Sequence, residues 1–108
     1  MTEKEKIEKV IKELSEILRD KYSDFNGIYF FGSRVKGGSD EFSDYDIAIV
    51  FDRIIGRKFK DEIRKIVYDL ELKYEIIIDS HIYSHFEILK PITPFRENVK
   101  NHGIFYGS

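Results

Sequence analysis

Three aspartates stand where an ordinary fold gains nothing from them. Asp44 and Asp46 lead directly into the apolar run "IAIVF", and Asp79 lies inside "EIIIDSHIY". If Asp44 and Asp46 open a strand, both side chains leave the same face, with Cα atoms ~6.6 Å apart at ~3.3 Å per residue. Like charges held on one face repel, and an aspartate embedded in an apolar strand is costly unless paired or metal-bound. A hard divalent cation such as Mg²⁺ resolves the conflict. It takes one or two protein carboxylates and fills its other positions with water and phosphate oxygens. Two such ions about 3.5–4 Å apart can clamp the attacking and leaving oxygens of a phosphoryl-type displacement. The plain alternative makes Asp44 a turn cap and Asp46 an exposed strand start. It loses weight because the run that follows is apolar throughout and because a third strand carries Asp79.

A second group precedes the aspartates. Gly32-Ser33 follows an apolar stretch directly, and Arg34, Lys36, Gly37 and Gly38 come next. Glycine lets backbone approach a ligand closely, and successive N–H groups in such a turn form an anion nest. Ser33 can donate a hydroxyl, while Arg34 and Lys36 bring mobile positive charge. The loop is neither a P-loop nor a dinucleotide G-x-G-x-x-G. A phosphate site and a metal site at adjacent strand ends are what a metal-bound nucleoside triphosphate requires.

These groups need a scaffold. Residues 3–22 read as a helix, because Ile7, Val10, Ile11, Leu14, Ile17 and Leu18 form one stripe. Thr2 and Glu5 fit a capping box. "SDFNG" reads as a break, Ile28 to Phe31 as a first strand, and Ile47 to Phe51 as a second, covered on both faces. Residues 58–74 form a second amphipathic helix, with Phe59, Ile63, Ile66, Val67, Leu70 and Tyr74 on one side. Ile76 to Tyr83 is rich in β-branched residues and reads as a third strand. Pro91 and Pro94 interrupt the remainder, where the pattern predicts a short helix at about 95–102 and an extended "GIFYG" end. The whole, 1–108, reads as a single α/β (α+β) domain, a small mixed β-sheet with helices packed on it.

The bulk numbers bound the function. At 108 residues with 42% hydrophobic content, the chain can bury one modest core. A net charge of −2 argues against nucleic acid as a direct partner. The absence of cysteine removes disulfides, thiolate metal sites and a cysteine nucleophile. No apolar run approaches the ~20 residues of a membrane span, and the charged start "MTEKEKIEKV" lacks the apolar stretch of a signal peptide. A cytoplasmic protein without a membrane partner is the expectation, with homo- or hetero-oligomers left open.

Gly32-Ser33, ten intervening residues, then Asp44-x-Asp46 resembles the G-S-x10-D-x-D signature of the DNA polymerase β-like nucleotidyltransferase superfamily. The short chain resembles its minimal nucleotidyltransferase (MNT) group, from the first helix to about Tyr83 and again in "PFRENVKNHGIFYG". The resemblance implies a palm-like core. It implies that Gly32 and Ser33 hold the β- and γ-phosphates of ATP and that Asp44 and Asp46 bind two Mg²⁺ ions. Asp79 would be the third carboxylate, as metal ligand or base, with Glu75 and Asp52 as its alternatives. Arg34 and Lys36 are added as phosphate contacts on their charge alone. The family often ends this loop in Ala-Arg-Gly; here Val35-Lys36-Gly37 stands instead. MNT proteins are often encoded with a helical HEPN toxin, and the resemblance implies AMP transfer from ATP to a tyrosine hydroxyl of that partner. The rival readings are an antitoxin that acts by contact alone, and an enzyme whose small-molecule or nucleic-acid acceptor is held by a partner subunit.

Other features carry less. His81 and His85 suit zinc only on a shared helix, and His81 falls in a strand. Ser84 has no nucleophile elbow around it. Tyr29, Phe30 and Phe31 read as core rather than as a base-stacking surface, and Ile54 and Ile55 as isolated turn residues. Phe95, Ile104, Phe105 and Tyr106 read as cover for a sheet edge that would otherwise invite pairing.

Overall fold

The computed structural model describes residues 3–30, 45–89 and 104–107. Its elements run α1 (Glu3–Lys21), β1 (Phe25–Phe30), β2 (Tyr45–Phe51), α2 (Arg57–Tyr74), β3 (Ile78–Ser84), α3 (His85–Leu89) and β4 (Ile104–Gly107). The strands form one sheet in the order β3-β2-β1-β4. β1 is antiparallel to both β2 and β4. β2 and β3 are parallel, joined through α2. The sheet is therefore mixed, as the sequence predicts. Among the described residues no helix is long and apolar enough to cross a membrane.

Period-2 alternation divides the sheet into two unlike faces. On one face Ile28, Ile47, Ile49, Phe51, Ile78 and Ile82 pack against Ile7, Val10, Ile11, Leu14 and Leu18 of α1 and Ile63, Val67 and Leu70 of α2. Each of these side chains is buried. Burying one such side chain contributes about 1.5–3 kcal/mol. The other face is thinner: Ala48 and Val50 are buried beneath Ile88 of α3, with Tyr29 and Tyr83 alongside. β2 is thus covered on both faces beyond its first residues, as expected.

Several boundaries differ from the sequence reading. Phe25 to Gly27 belongs to β1 rather than to a break, with the register shifting between Phe25 and Gly27. A bulge tolerates the turn-forming residues there. β3 begins at Ile78 rather than Ile76. Glu75 ends α2 in the left-handed conformation, φ 54°, and the N–H of Ile76 turns back to the Glu71 carbonyl at 3.1 Å. The chain needs two more residues before it enters the sheet, and Ile77 is left exposed. The short helix α3 was not foreseen, although its signal is local. Ser84 Oγ accepts the Glu87 N–H at 3.3 Å, and Glu87 Oε1 accepts the Ser84 N–H at 2.9 Å. "SHFE" is therefore a capping box, which gives Ser84 a structural role. β4 matches the expected extended end and covers the outer side of β1, with Phe105 packed on Tyr29 at 4.8 Å between ring centroids. Thr2, Phe31, Phe95 and the helix expected at 95–102 lie outside the described residues.

Two polar clasps fix the helices. At the end of the sheet where β1 begins, Arg53 donates to both oxygens of Asp24 at 2.5 and 2.8 Å, and its guanidinium lies 4.1 Å from the Phe59 ring centroid. Tyr22, Phe51 and Phe59 meet edge-on around it. The Tyr22 hydroxyl donates to Glu62. Burial, then the bond to Glu62, pushes the Tyr22 phenol up to about 12. Between the helices, Glu13 accepts from Tyr74 at 2.6 Å and from Lys73 at 2.9 Å. These bonds, Tyr74's first, lower the Glu13 carboxyl.

Arg53→Ala should cost about 1–2 kcal/mol in urea denaturation, through the lost bidentate pair and the stacked ring. The hydrogen bonds from Arg53 hold the Asp24 carboxyl below its ordinary value. That stabilisation is complete above the unfolded-state value of about 3.9 and disappears as pH falls through the lower folded value. The acid limb of a stability–pH curve should accordingly be shallower in Arg53→Ala than in wild type. Glu75→Gly, at the left-handed position, should raise stability by about 0.5–1 kcal/mol.

Candidate functional site

The site lies on the thin face, at the end of the sheet where β1 leaves and β2 and β3 enter. Phe30, the last residue of β1, pairs with Ile47, so β1 ends and β2 begins at this same end. Asp46 is the second residue of β2, and its direct register partner across the parallel pair is Asp79 of β3. Register partners share a face, so both carboxylates stand on the side away from α1 and α2. Alternation explains why. Tyr45, Ile47 and Ile49 point into the main core, as do Ile78 and Ile82. Asp46 and Asp79 are the residues between them.

His81 shares that face two residues beyond Asp79, opposite Ala48. One ligand atom from each of Asp46, Asp79 and His81 lies within 4.8 Å of the others. His81 Nε2 is 3.3 Å from Asp79 Oδ2, and the His81 and Tyr83 rings lie nearly parallel, 6.4 Å apart at 11°. The Asp79 side chain is 50% exposed and that of His81 29%. Asp46 is half-buried.

Asp79 is therefore not sunk in the core, as its apolar neighbours in the sequence suggested. β3 is the outermost strand on its side of the described sheet, and an edge position leaves this side chain in contact with solvent. Of the three candidates for the third carboxylate, the register sets Asp79 beside Asp46. Glu75 lies in the turn after α2, before β3 begins, and Asp52 follows β2 at the opposite end of the sheet. Asp44, Gly32, Ser33, Arg34 and Lys36 lie outside the described residues. As a metal ligand, His81 pairs in the sequence reading with His85, at helical spacing. The informative spacing was the strand's: Asp79-x-His81 repeats the i, i+2 arrangement of Asp44-x-Asp46. His85 begins α3 and does not join the group.

Two carboxylates and an imidazole form a donor set that suits a hard or borderline divalent cation. Partial exposure leaves room for water and substrate oxygens on such an ion. A groove of about 600 Å³ reaches Asp79 from the side, between Arg64, Lys65 and Tyr68 of α2 and Ile78 to Ser80 of β3. Asp61 and Glu71 of α2 line it as well, so the groove mixes cationic, acidic and aromatic groups beside Asp79.

Residues 11–106 match the family described as "Nucleotidyltransferase domain". MJ0141 of Methanocaldococcus jannaschii, whose name proposes a protein adenylyltransferase, is 37% identical over 93 residues, covering 86% of this chain and 87% of that protein. Two crystal structures of mutant forms of a toxin–antitoxin, MntA-HpeT, share the fold. They align with TM-scores of 0.59 and 0.55 at 18% and 21% identity, over 90% of this chain and 73% and 72% of theirs. By sequence match over most of its length, and with a fold that agrees, this chain belongs to the nucleotidyltransferase domain family.

Proposed function

We propose that the protein transfers AMP from ATP to a hydroxyl of a protein partner, a tyrosine of a HEPN toxin, and so serves as the antitoxin of a pair. The observation that carries this reading is the register match of Asp46 with Asp79 on a solvent-facing strand end. The name of MJ0141 supports adenylyl transfer to protein, and the MntA-HpeT structures support the pairing with a toxin.

Asp46 and Asp79, with Asp44 two residues before Asp46, would hold Mg²⁺. A divalent cation there would offset the charge of the triphosphate and favour departure of pyrophosphate. Gly32 and Ser33, in the segment that leaves β1 at this end, would bind the β- and γ-phosphates, assisted by Arg34 and Lys36. The acceptor hydroxyl would approach along the groove beside Asp79. Its oxygen forms the new bond to the α-phosphorus, and the bond from that phosphorus to the β-phosphate oxygen breaks. The hydroxyl proton passes to the exposed carboxylate of Asp79 or to water. Tyr68 and Leu72, one turn apart on α2, and Ile77, just before β3, are all exposed and would offer apolar contact to a protein acceptor.

The test is transfer of label from α-labelled ATP, with Mg²⁺, to the purified partner or a cell lysate. Wild type should label one protein band, and Asp44→Ala/Asp46→Ala should label none. If neither labels any band while partner binding survives in both, the protein acts by contact alone and the transferase reading is wrong. Melting curves give a separate check on the acidic pair. Divalent cations should raise the wild-type midpoint. In Asp46→Asn that rise should be lost, while the metal-free midpoint stays level or increases because a like-charge contact has been removed.

A further inference from the structure

We propose that His81 is a ligand of the cation, and that its nitrogen makes the site favour borderline divalent ions such as Mn²⁺ and Co²⁺ over Mg²⁺. This rests on the metal-binding reading of Asp46 and Asp79 given above.

Geometry is the first support. His81 Nε2 lies 3.3 Å from Asp79 Oδ2. Charge-assisted N–H···O⁻ bonds run shorter, about 2.7–2.9 Å. Two ligands on adjacent positions of one ion, each with a bond of about 2.1 Å, are separated by about 3.0 Å in octahedral and about 3.4 Å in tetrahedral geometry. The observed spacing falls between those two values. The three ligand atoms of Asp46, Asp79 and His81 all fit within 4.8 Å, so one ion can reach them with small side-chain adjustments.

The second support is how the ring is held. His81 sits on a strand rather than a loop, and the nearly parallel Tyr83 ring flanks it. The register partner opposite is Ala48, fully buried and small, so no bulky side chain from β2 stands between His81 and Asp46 on this face. A fixed imidazole beside two carboxylates changes what the site selects. Mg²⁺ is satisfied by oxygen ligands and gains little from nitrogen, whereas imidazole suits later first-row ions. An all-carboxylate site discriminates less sharply between these ions. The nitrogen also replaces a charged ligand with a neutral one, so binding the cation brings less negative charge near the incoming triphosphate than a further carboxylate would.

The experiment uses the full chain without nucleotide. Mn²⁺ is titrated into wild type, His81→Ala, His81→Gln and Asp46→Asn, with Mg²⁺ titrated in parallel by calorimetry. Electron spin-echo spectra of the wild-type Mn²⁺ complex are recorded for nitrogen coupling. The expected result is directly coordinated ¹⁴N in wild type, absent in His81→Ala. Mn²⁺ affinity should fall about tenfold or more in both His81 variants, with Mg²⁺ affinity changed much less. If Mn²⁺ binding depends on Asp46 but wild type shows no nitrogen coupling and the Mn²⁺/Mg²⁺ ratio is unaltered in the variants, the metal site stands and His81 is not its ligand. If Mn²⁺ does not bind, or binds equally well in Asp46→Asn, the metal-binding reading falls and the proposal with it. The nitrogen signal is read on the wild-type protein, so a poorly folding variant does not remove the test.

Discussion

The parallel pairing of β2 with β3 is the constraint on which the site depends. Its register is enforced from the opposite face, where Ile47, Ile49 and Phe51 of one strand and Ile78 and Ile82 of the other are buried beneath α1 and α2. A slip of one residue would carry the apolar side chains to the thin face and the acidic ones into the core. The hydrophobic penalty for that error is several side chains deep, far more than two neighbouring carboxylates cost by repelling. The core therefore holds Asp46 and Asp79 in a position that neither would choose alone. That is a means of preorganising charge: the energy that forces the acidic groups together is spent by residues that never touch a substrate.

The polar and aromatic clasp and the candidate site occupy opposite ends of the same strands. Where β1 begins and β2 ends, Asp24, Arg53, Tyr22, Phe51 and Phe59 interlock by hydrogen bonds and ring contacts. Where β1 ends and β2 begins, Asp46, Asp79 and His81 project with partial exposure. A rigid base and a more open rim would suit the proposed reaction, in which a triphosphate and a protein acceptor have to enter together.

Most of the scaffold was legible because it depends on periodicity. The stripes of α1 and α2 and the unbroken run of β2 leave little choice of element. The acidic motif was legible for a different reason, since its spacing is incompatible with comfortable packing. What escaped the reading depends on position across the sheet, which one-dimensional patterning does not carry. Asp79 looks buried among isoleucines, yet β3 is an outer strand and the side chain meets solvent. His81 becomes informative only once its strand is set against Asp46. The left-handed turn at Glu75 delayed β3 by two residues through backbone geometry that favours glycine, and glutamate gives no warning of it. The signal for α3, "SHFE", is a local capping box, whose serine reads equally well as a hydroxyl for chemistry.

The crossover through α2 has a further consequence. Asp46 and Asp79 belong to strands with a complete helix between them, so in the unfolded chain they are distant and independent. They become neighbours only when α2 has docked and β3 has closed onto β2, a step that must bear the loop-closure entropy of the whole crossover. The acidic pair is thus a product of the long-range part of folding. A chain that has formed its helices but not this pairing has no site to offer, and recognition of a ligand spanning both strands doubles as a test that the chain is finished.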